Sequence, residues 1–113
     1  MDKLTRYRQI VTKLLTDFVA LVNRTPRAGG ETLTVFDTQS DQYLVINAGW
    51  CNDRRMRGTP VYLRLHNGKI WIEEDLTDRD FASELLKAGV PREDIVLGFQ
   101  PPDKRALTEF AVA

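Results

Sequence analysis

The chain is short of the residue types from which most active sites are built. It has one cysteine, Cys51, so neither an internal disulfide nor a cysteine metal cluster can form within one chain, and a reducing compartment is the better fit. It also has one histidine, His66. With no second His and no suitably spaced Cys to complete a metal or acid–base site, His66 reads as a surface residue beside a turn and Cys51 as inert. Gly29 and Gly30 form an isolated pair and not a phosphate loop. No apolar run approaches the roughly 18 residues needed to cross a bilayer. The opening MDKLTRYRQIV interleaves charge with apolar residues, unlike a secretory leader, so a cytoplasmic protein without membrane association is expected. Basic surplus is missing as well: 16 Lys and Arg balance 16 Asp and Glu. A protein that grips nucleic acid mainly through phosphates usually carries such a surplus.

What is present is ordinary globular material. The 113 residues, 42% hydrophobic and 28% charged, suit one domain with one core, taken as residues 1–113. Leu4, Tyr7, Val11, Leu14, Leu15, Phe18, Leu21 and Val22 recur at helical spacing. They predict a helix from about Asp2, as N-cap, to about Arg24, ended by Pro26 with Gly29 and Gly30. Its opposite face mixes both charge signs, which favours packing on the domain's own sheet over a membrane-surface or partner-binding helix.

Residues 32–72 read as β structure. TLTVFDT and QYLVINAGW form two strands joined by the turn Gln39 to Asp41, and VYLRLHNGKIWIEE is a hairpin about Asn67-Gly68, the favoured type I′ pair because both positions tolerate positive φ. A two-residue loop sets His66 opposite Lys69, Leu65 opposite Ile70, Arg64 opposite Trp71, Leu63 opposite Ile72 and Tyr62 opposite Glu73. Alternation then places Val61, Leu63, Leu65, Ile70 and Ile72 on a core face, and Tyr62, Arg64, His66, Lys69, Trp71 and Glu73 on the other. Trp71 beside Arg64 suggests a cation–π contact. Either another strand, a loop or the C-terminal tail covers this Trp, or it belongs to a subunit or partner interface; sequence-tolerant base stacking is a third use.

DLTDRDFASELLKAGVP predicts a helix with Thr77 and Asp80 as an approximate capping box, Phe81, Leu85 and Leu86 as its buried stripe, and Gly89 as a left-handed stop before Val90 and Pro91. IVLGF, residues 95–99, predicts a short buried strand, and Pro101 and Pro102 force the chain out of the sheet at Gln100. The apolar ending EFAVA predicts that Phe110 and Val112 bury against the body or a second copy. The fold expected is α+β: a long N-terminal helix and shorter C-terminal helices packed on one face of a mainly antiparallel sheet of about four to five strands.

Two surfaces stand out as functional candidates. One is the sheet face or rim around Tyr62, Arg64 and Trp71 together with Phe110, as a protein interface. The other is the basic run RRMRG, with Arg54, Arg55 and Arg57 in a loop after GWCND, as a nucleic-acid or acidic-partner contact. The first 60 residues hold 9 basic and 6 acidic side chains and the remainder 7 and 10, so the run gains little regional support. Glu73, Glu74 and Asp75 form an acidic string, but a strand alternates their faces, which argues against a nuclease metal site. No catalytic set, metal or cofactor is expected.

The spacing from Gly49-Trp50 to Arg55 and Gly58, the run GKIWIEED, and above all AGVPREDIVLGFQPPDKRALTEFAVA resemble the XisI family of fdxN element excision controlling factors, and the likeness runs through the N-terminal helix too. The resemblance implies a non-enzymatic accessory protein, encoded beside a XisH-like partner and acting with a recombinase in controlled excision of a DNA element. Phosphodiester chemistry would then belong to the nuclease-like XisH-type partner or to the recombinase. Gln100 stands where His is frequent in the family and Leu107 where an aromatic is common, which removes that His as a shared chemical group. The resemblance leaves two modes of action: association with the XisH-like protein or a second copy, or direct DNA contact through Arg54, Arg55 and Arg57.

Overall fold

A computed structural model describes residues 2–25 and 30–113. Helix α1 spans Lys3–Val22, and the Asp2 side chain accepts from the Thr5 N–H at 2.7 Å, the N-cap its position predicts. It ends two residues before the expected Arg24, capped by Asn23, whose side-chain amide donates to the Thr32 carbonyl and ties the helix end to the first strand. Pro26 and Gly29, expected to terminate it, lie outside the described residues. Tyr7, Val11, Leu15 and Phe18 form its buried face, each contributing about 1.5–3 kcal/mol by leaving water. Leu21 does not join them: it is 44% exposed.

Five strands follow, β1 Gly30–Asp37, β2 Gln42–Cys51, β3 Arg54–His66, β4 Lys69–Asp75 and β5 Ile95–Leu97, in the spatial order β1-β2-β3-β4-β5. The first four form an antiparallel meander, and β5 lies parallel to β4. That parallel pair needs a crossover, which α2, Phe81–Lys87, supplies. Asn67 and Gly68 have φ of 53° and 74°, as a type I′ turn demands. Four of the five predicted pairings across this hairpin are present. The fifth is not: Tyr62 faces Glu74, because Glu73 is an extra residue on β4, forming a bulge from which it reaches Arg64 at 2.7 Å.

The inner face of the sheet, with Tyr43, Val45, Val61, Leu63, Leu65, Ile70, Ile72 and Ile95, packs with α1 and α2 into one core. The Phe18 and Phe81 rings meet edge-on with centroids 5.5 Å apart, joining the two helices. Two core tyrosines are held by acids at the rim. The Tyr7 hydroxyl donates to Asp94, and the Tyr43 hydroxyl donates to Asp41, which also takes a bidentate bond from Arg8 at 2.8 and 3.0 Å.

Asp80, not Thr77, caps α2: it adopts φ 56° and accepts from Ser83 N–H and Oγ. Thr77 is instead bound to Asp75, whose other oxygen accepts the Phe81 N–H, so this acid organises the chain leading into the helix. At the far end Gly89 takes φ 97°; its N–H and that of Val90 donate to Leu86 and Leu85 carbonyls, a complete Schellman cap. After β5 the chain turns out of the sheet and forms α3, Pro102–Arg105. Phe110 packs on the core and Ala111 bridges Val96 in parallel, but Val112, expected to be buried, is 53% exposed. Among the described residues, no helix is long and apolar enough to cross a membrane.

Candidate functional site

The strand period that sends Thr32, Tyr43 and Val45 inward sends Leu33, Val35, Leu44, Ile46, Tyr62, Arg64 and Trp71 to the face opposite α1. The two halves of this outer face differ. Over β4 and β5 the chain's own C-terminal segment covers it. Arg105 donates to the carbonyls of Leu97, Gln100, Gly98 and Val112 at 3.0–3.3 Å, drawing the segment into a strap, and Lys69 donates to the Ala113 carbonyl.

Trp71 lies beneath that strap, only 9% exposed, with the guanidinium carbons of Arg64 and Arg105 each 5.1 Å from its ring centroid and His66 edge-on at 5.7 Å. The predicted Arg64 contact exists, and of the alternatives for Trp71 the C-terminal tail is what covers it. Its indole N–H is buried without a hydrogen-bond partner. Burying that group costs free energy, which two cations at the ring offset. Of the other interface candidates, Arg64 is half-buried and ion-paired to Glu73, Tyr62 donates its hydroxyl to Gln42, and Phe110 is half-buried under the strap side of the core.

Over β1, β2 and β3 the outer face is open. Leu33 and Val35 are 40% and 45% exposed, with Leu44, Ile46 and Tyr62 beside them as half-buried neighbours. A contiguous apolar patch on a soluble domain marks an association surface more often than isolated residues do. The sequence carries this signal, since YLVI is apolar on both faces and TLTVF puts Leu33 and Val35 on the face opposite Thr32 and Thr34.

Arg54, Arg55 and Arg57 are exposed but do not lie in a loop. They open β3, paired with Cys51, Trp50 and Ala48 of β2, because the turn after β2 takes only Asn52 and Asp53. The pairing sends Arg57 to the outer face. It also brings Arg55 over the ring of Trp50, at 5.6 Å, a residue 56% exposed that sequence reasoning did not single out. Arg54 alternates to the other side.

Four of the acids are spent on structure. Glu73 pairs with Arg64, Asp75 organises the start of α2, and Asp41 and Asp94 hold the tyrosines. The Arg8 guanidinium holds the Asp41 carboxyl below its ordinary value. Burial pushes Asp94 upward, but the Tyr7 hydroxyl and Lys3 together leave it lowered. Burial first, then the bonded acid, raises the Tyr7 and Tyr43 hydroxyls to about 12. Among the described residues, no three His, Cys, Asp or Glu side chains gather as a metal site. One cavity of about 270 Å³, lined by Phe18, Val22, Thr32, Asn47, Pro60 and Leu76 among others, is at the small end for a ligand site.

The family model for XisI protein matches residues 1–112. A crystal structure of a XisI-like protein from Anabaena variabilis ATCC 29413 is 39% identical, with TM-score 0.90 over 97% of this chain and 99% of that one. A second, of the fdxN element excision controlling factor XisI from the same organism, is 44% identical, with TM-score 0.85 over 99% of this chain and all of that one. No curated protein matches. The likeness read from GKIWIEED and the C-terminal run thus extends over the whole chain in both sequence and fold, and the chain belongs to the XisI family.

Proposed function

We propose that this protein is a non-enzymatic accessory factor in the controlled excision of a DNA element, and that it acts by protein–protein association with a XisH-like partner and a recombinase. Membership of the XisI family and 44% identity to an fdxN element excision controlling factor support the excision role. The observation that carries the mode of action is the open apolar sheet face bearing Leu33 and Val35. Cutting and rejoining of DNA would then belong to the partners, while this chain supplies a rigid surface for assembly.

The test is co-expression with a XisH-like protein, followed by purification at moderate salt and mass determination. The expected result is a complex of defined stoichiometry, weakened when Val35 becomes Lys. Separate elution of the two proteins would count against the association reading.

The exposed Trp50–Arg55 stack, with Arg54 and Arg57 near it, favours a second reading, direct DNA contact at the end of the β2–β3 hairpin. On that reading DNA binding weakens steeply with added salt and is lost when the three arginines become Ala. Salt-independent or unchanged binding would sink it.

A further inference from the structure

Residues directly opposite one another in adjacent antiparallel strands project from the same face of a sheet. Two pairings therefore line up three side chains each across the open outer face. In one row Glu31 of β1 faces Ala48 of β2, which faces Arg57 of β3; in another Asp37 faces Gln42, which faces Arg64. Between these rows lie Leu33, Val35, Leu44, Ile46 and Tyr62. The face is an apolar band with an acid at each end of its β1 side and an arginine at each end of its β3 side.

This pattern is self-complementary. Rotation by half a turn about an axis in the plane of the face and parallel to β2 lays a second copy on the first with β1 against β3 and each row kept at its own level. Glu31 then meets Arg57 of the second copy and the apolar bands meet in the middle; Asp37 and Arg64, level with each other at the far end, are already bonded within their own copy to Ser40 and Glu73. Each contact occurs twice, as an isologous interface requires. Any other occupant would have to reproduce both the apolar band and the crossed charges, whereas a second copy carries them already.

We propose that the open sheet face is a two-fold self-association surface, joined face to face with Glu31 of one copy against Arg57 of the other. It rests on the association reading above and names a second copy as the occupant of this face in the chain by itself, which a XisH-like partner using the same face would have to displace. Within a single copy Glu31 and Arg57 are separated by the whole of β2, both are exposed, and neither has a salt-bridge partner among the described residues, so both are available. Three strands about 4.8 Å apart and seven residues at about 3.4 Å each make a face of roughly 14 by 24 Å. A pair of such faces falls below the ~1,200–2,000 Å² of tight complexes, so the association is weak and leans on its charged rim.

The experiment is sedimentation velocity on the purified chain alone over a wide concentration range, for the wild type, Glu31→Arg, Arg57→Glu and the double variant carrying both. The wild type is expected to self-associate reversibly. Each single reversal sets like charges together twice and should weaken the dimer about tenfold or more. The double variant restores opposite charges and should recover most of the loss, a result no general effect on folding would give. Equal melting temperatures across the set confirm that the fold is kept. A wild type that stays monomeric at every concentration, single variants that associate as well as wild type, or a double variant no better than the singles would each overturn the proposal. Because no second protein is present, failure here is distinct from failure of the co-expression test.

Discussion

Arg105 is the residue on which the C-terminal strap hangs, and replacing it with Ala tests whether the strap or the sheet itself keeps Trp71 dry. Its guanidinium donates to four backbone carbonyls and lies 5.1 Å from the Trp71 ring centroid. A hydrogen bond from a charged donor contributes about 1.5–3 kcal/mol when its acceptor is left dry. Here Nε is shared between Leu97 and Gln100, and released carbonyls regain water as the strap lifts, so the four bonds together count for about two such bonds less resolvation. With the ring contact adding roughly 0.5 kcal/mol, the loss should be about 2–3 kcal/mol. At about 4 °C per kcal/mol for a domain of this size, the midpoint should fall by roughly 8–12 °C. The assay is thermal unfolding followed by tryptophan emission in a Trp50→Phe background, where Trp71 is the sole reporter. Emission of native Arg105→Ala should shift to the red, and Arg105→Lys, which keeps the charge but not the fork, should restore little. An unchanged midpoint with blue emission would show that the strap is held by Phe110 and Ala111 instead, and the reasoning would be wrong.

Stability should fall at both ends of the pH scale. The Asp41 and Asp94 carboxyls titrate below their ordinary value in the folded chain, so the stability they contribute is complete above the unfolded pKa near 3.8 and is lost as pH falls through the folded values. Asp41→Asn should flatten the acid limb of a pH–stability profile, and an unaltered limb would exclude the Arg8–Asp41–Tyr43 cluster as its source. The Tyr7 and Tyr43 hydroxyls, raised from 10.0 to about 12, contribute stability that is whole below 10 and lost as pH rises toward 12, which tyrosinate absorbance would report alongside unfolding. Gly89→Ala should cost about 1–2 kcal/mol in urea unfolding, since φ is 97° there and the added carbon meets Arg6 Nη2 at 2.7 Å; a neutral result would mean the α2 cap relaxes freely.

Much of the frame was legible because it rests on short-range effects. The stripe from Leu4 to Phe18 has only one way to face a core, Asn67-Gly68 closes a hairpin by its own φ preferences, and Gly89 before Val90 and Pro91 stops a helix wherever it stands. The misreadings fall where two local solutions compete. Thr77 and Asp80 can each cap a helix, and Asp75, placed by the end of β4, takes Thr77 away. RRMRG reads as loop by its charge, yet a two-residue turn at Asn52 and Asp53 keeps it in the sheet.

The amino-acid sequence by itself determined the order of elements, the core face of α1 and of the β3–β4 hairpin, and the family, since each follows from periodicity, turn chemistry or a run of identities. Tertiary structure alone decided how the outer face is composed. The bulge at Glu73 and the register shift between Val45 and Asn47 set which residues stand level across the strands, and only with that register do Glu31, Ala48 and Arg57 share a row. The strap that hides Trp71 while leaving Leu33 and Val35 open depends on a residue 34 positions further along the chain reaching back over its ring. Register is cooperative over a whole sheet, and a slip of one residue would send every side chain to the opposite face, so no local stretch carries enough information to choose it.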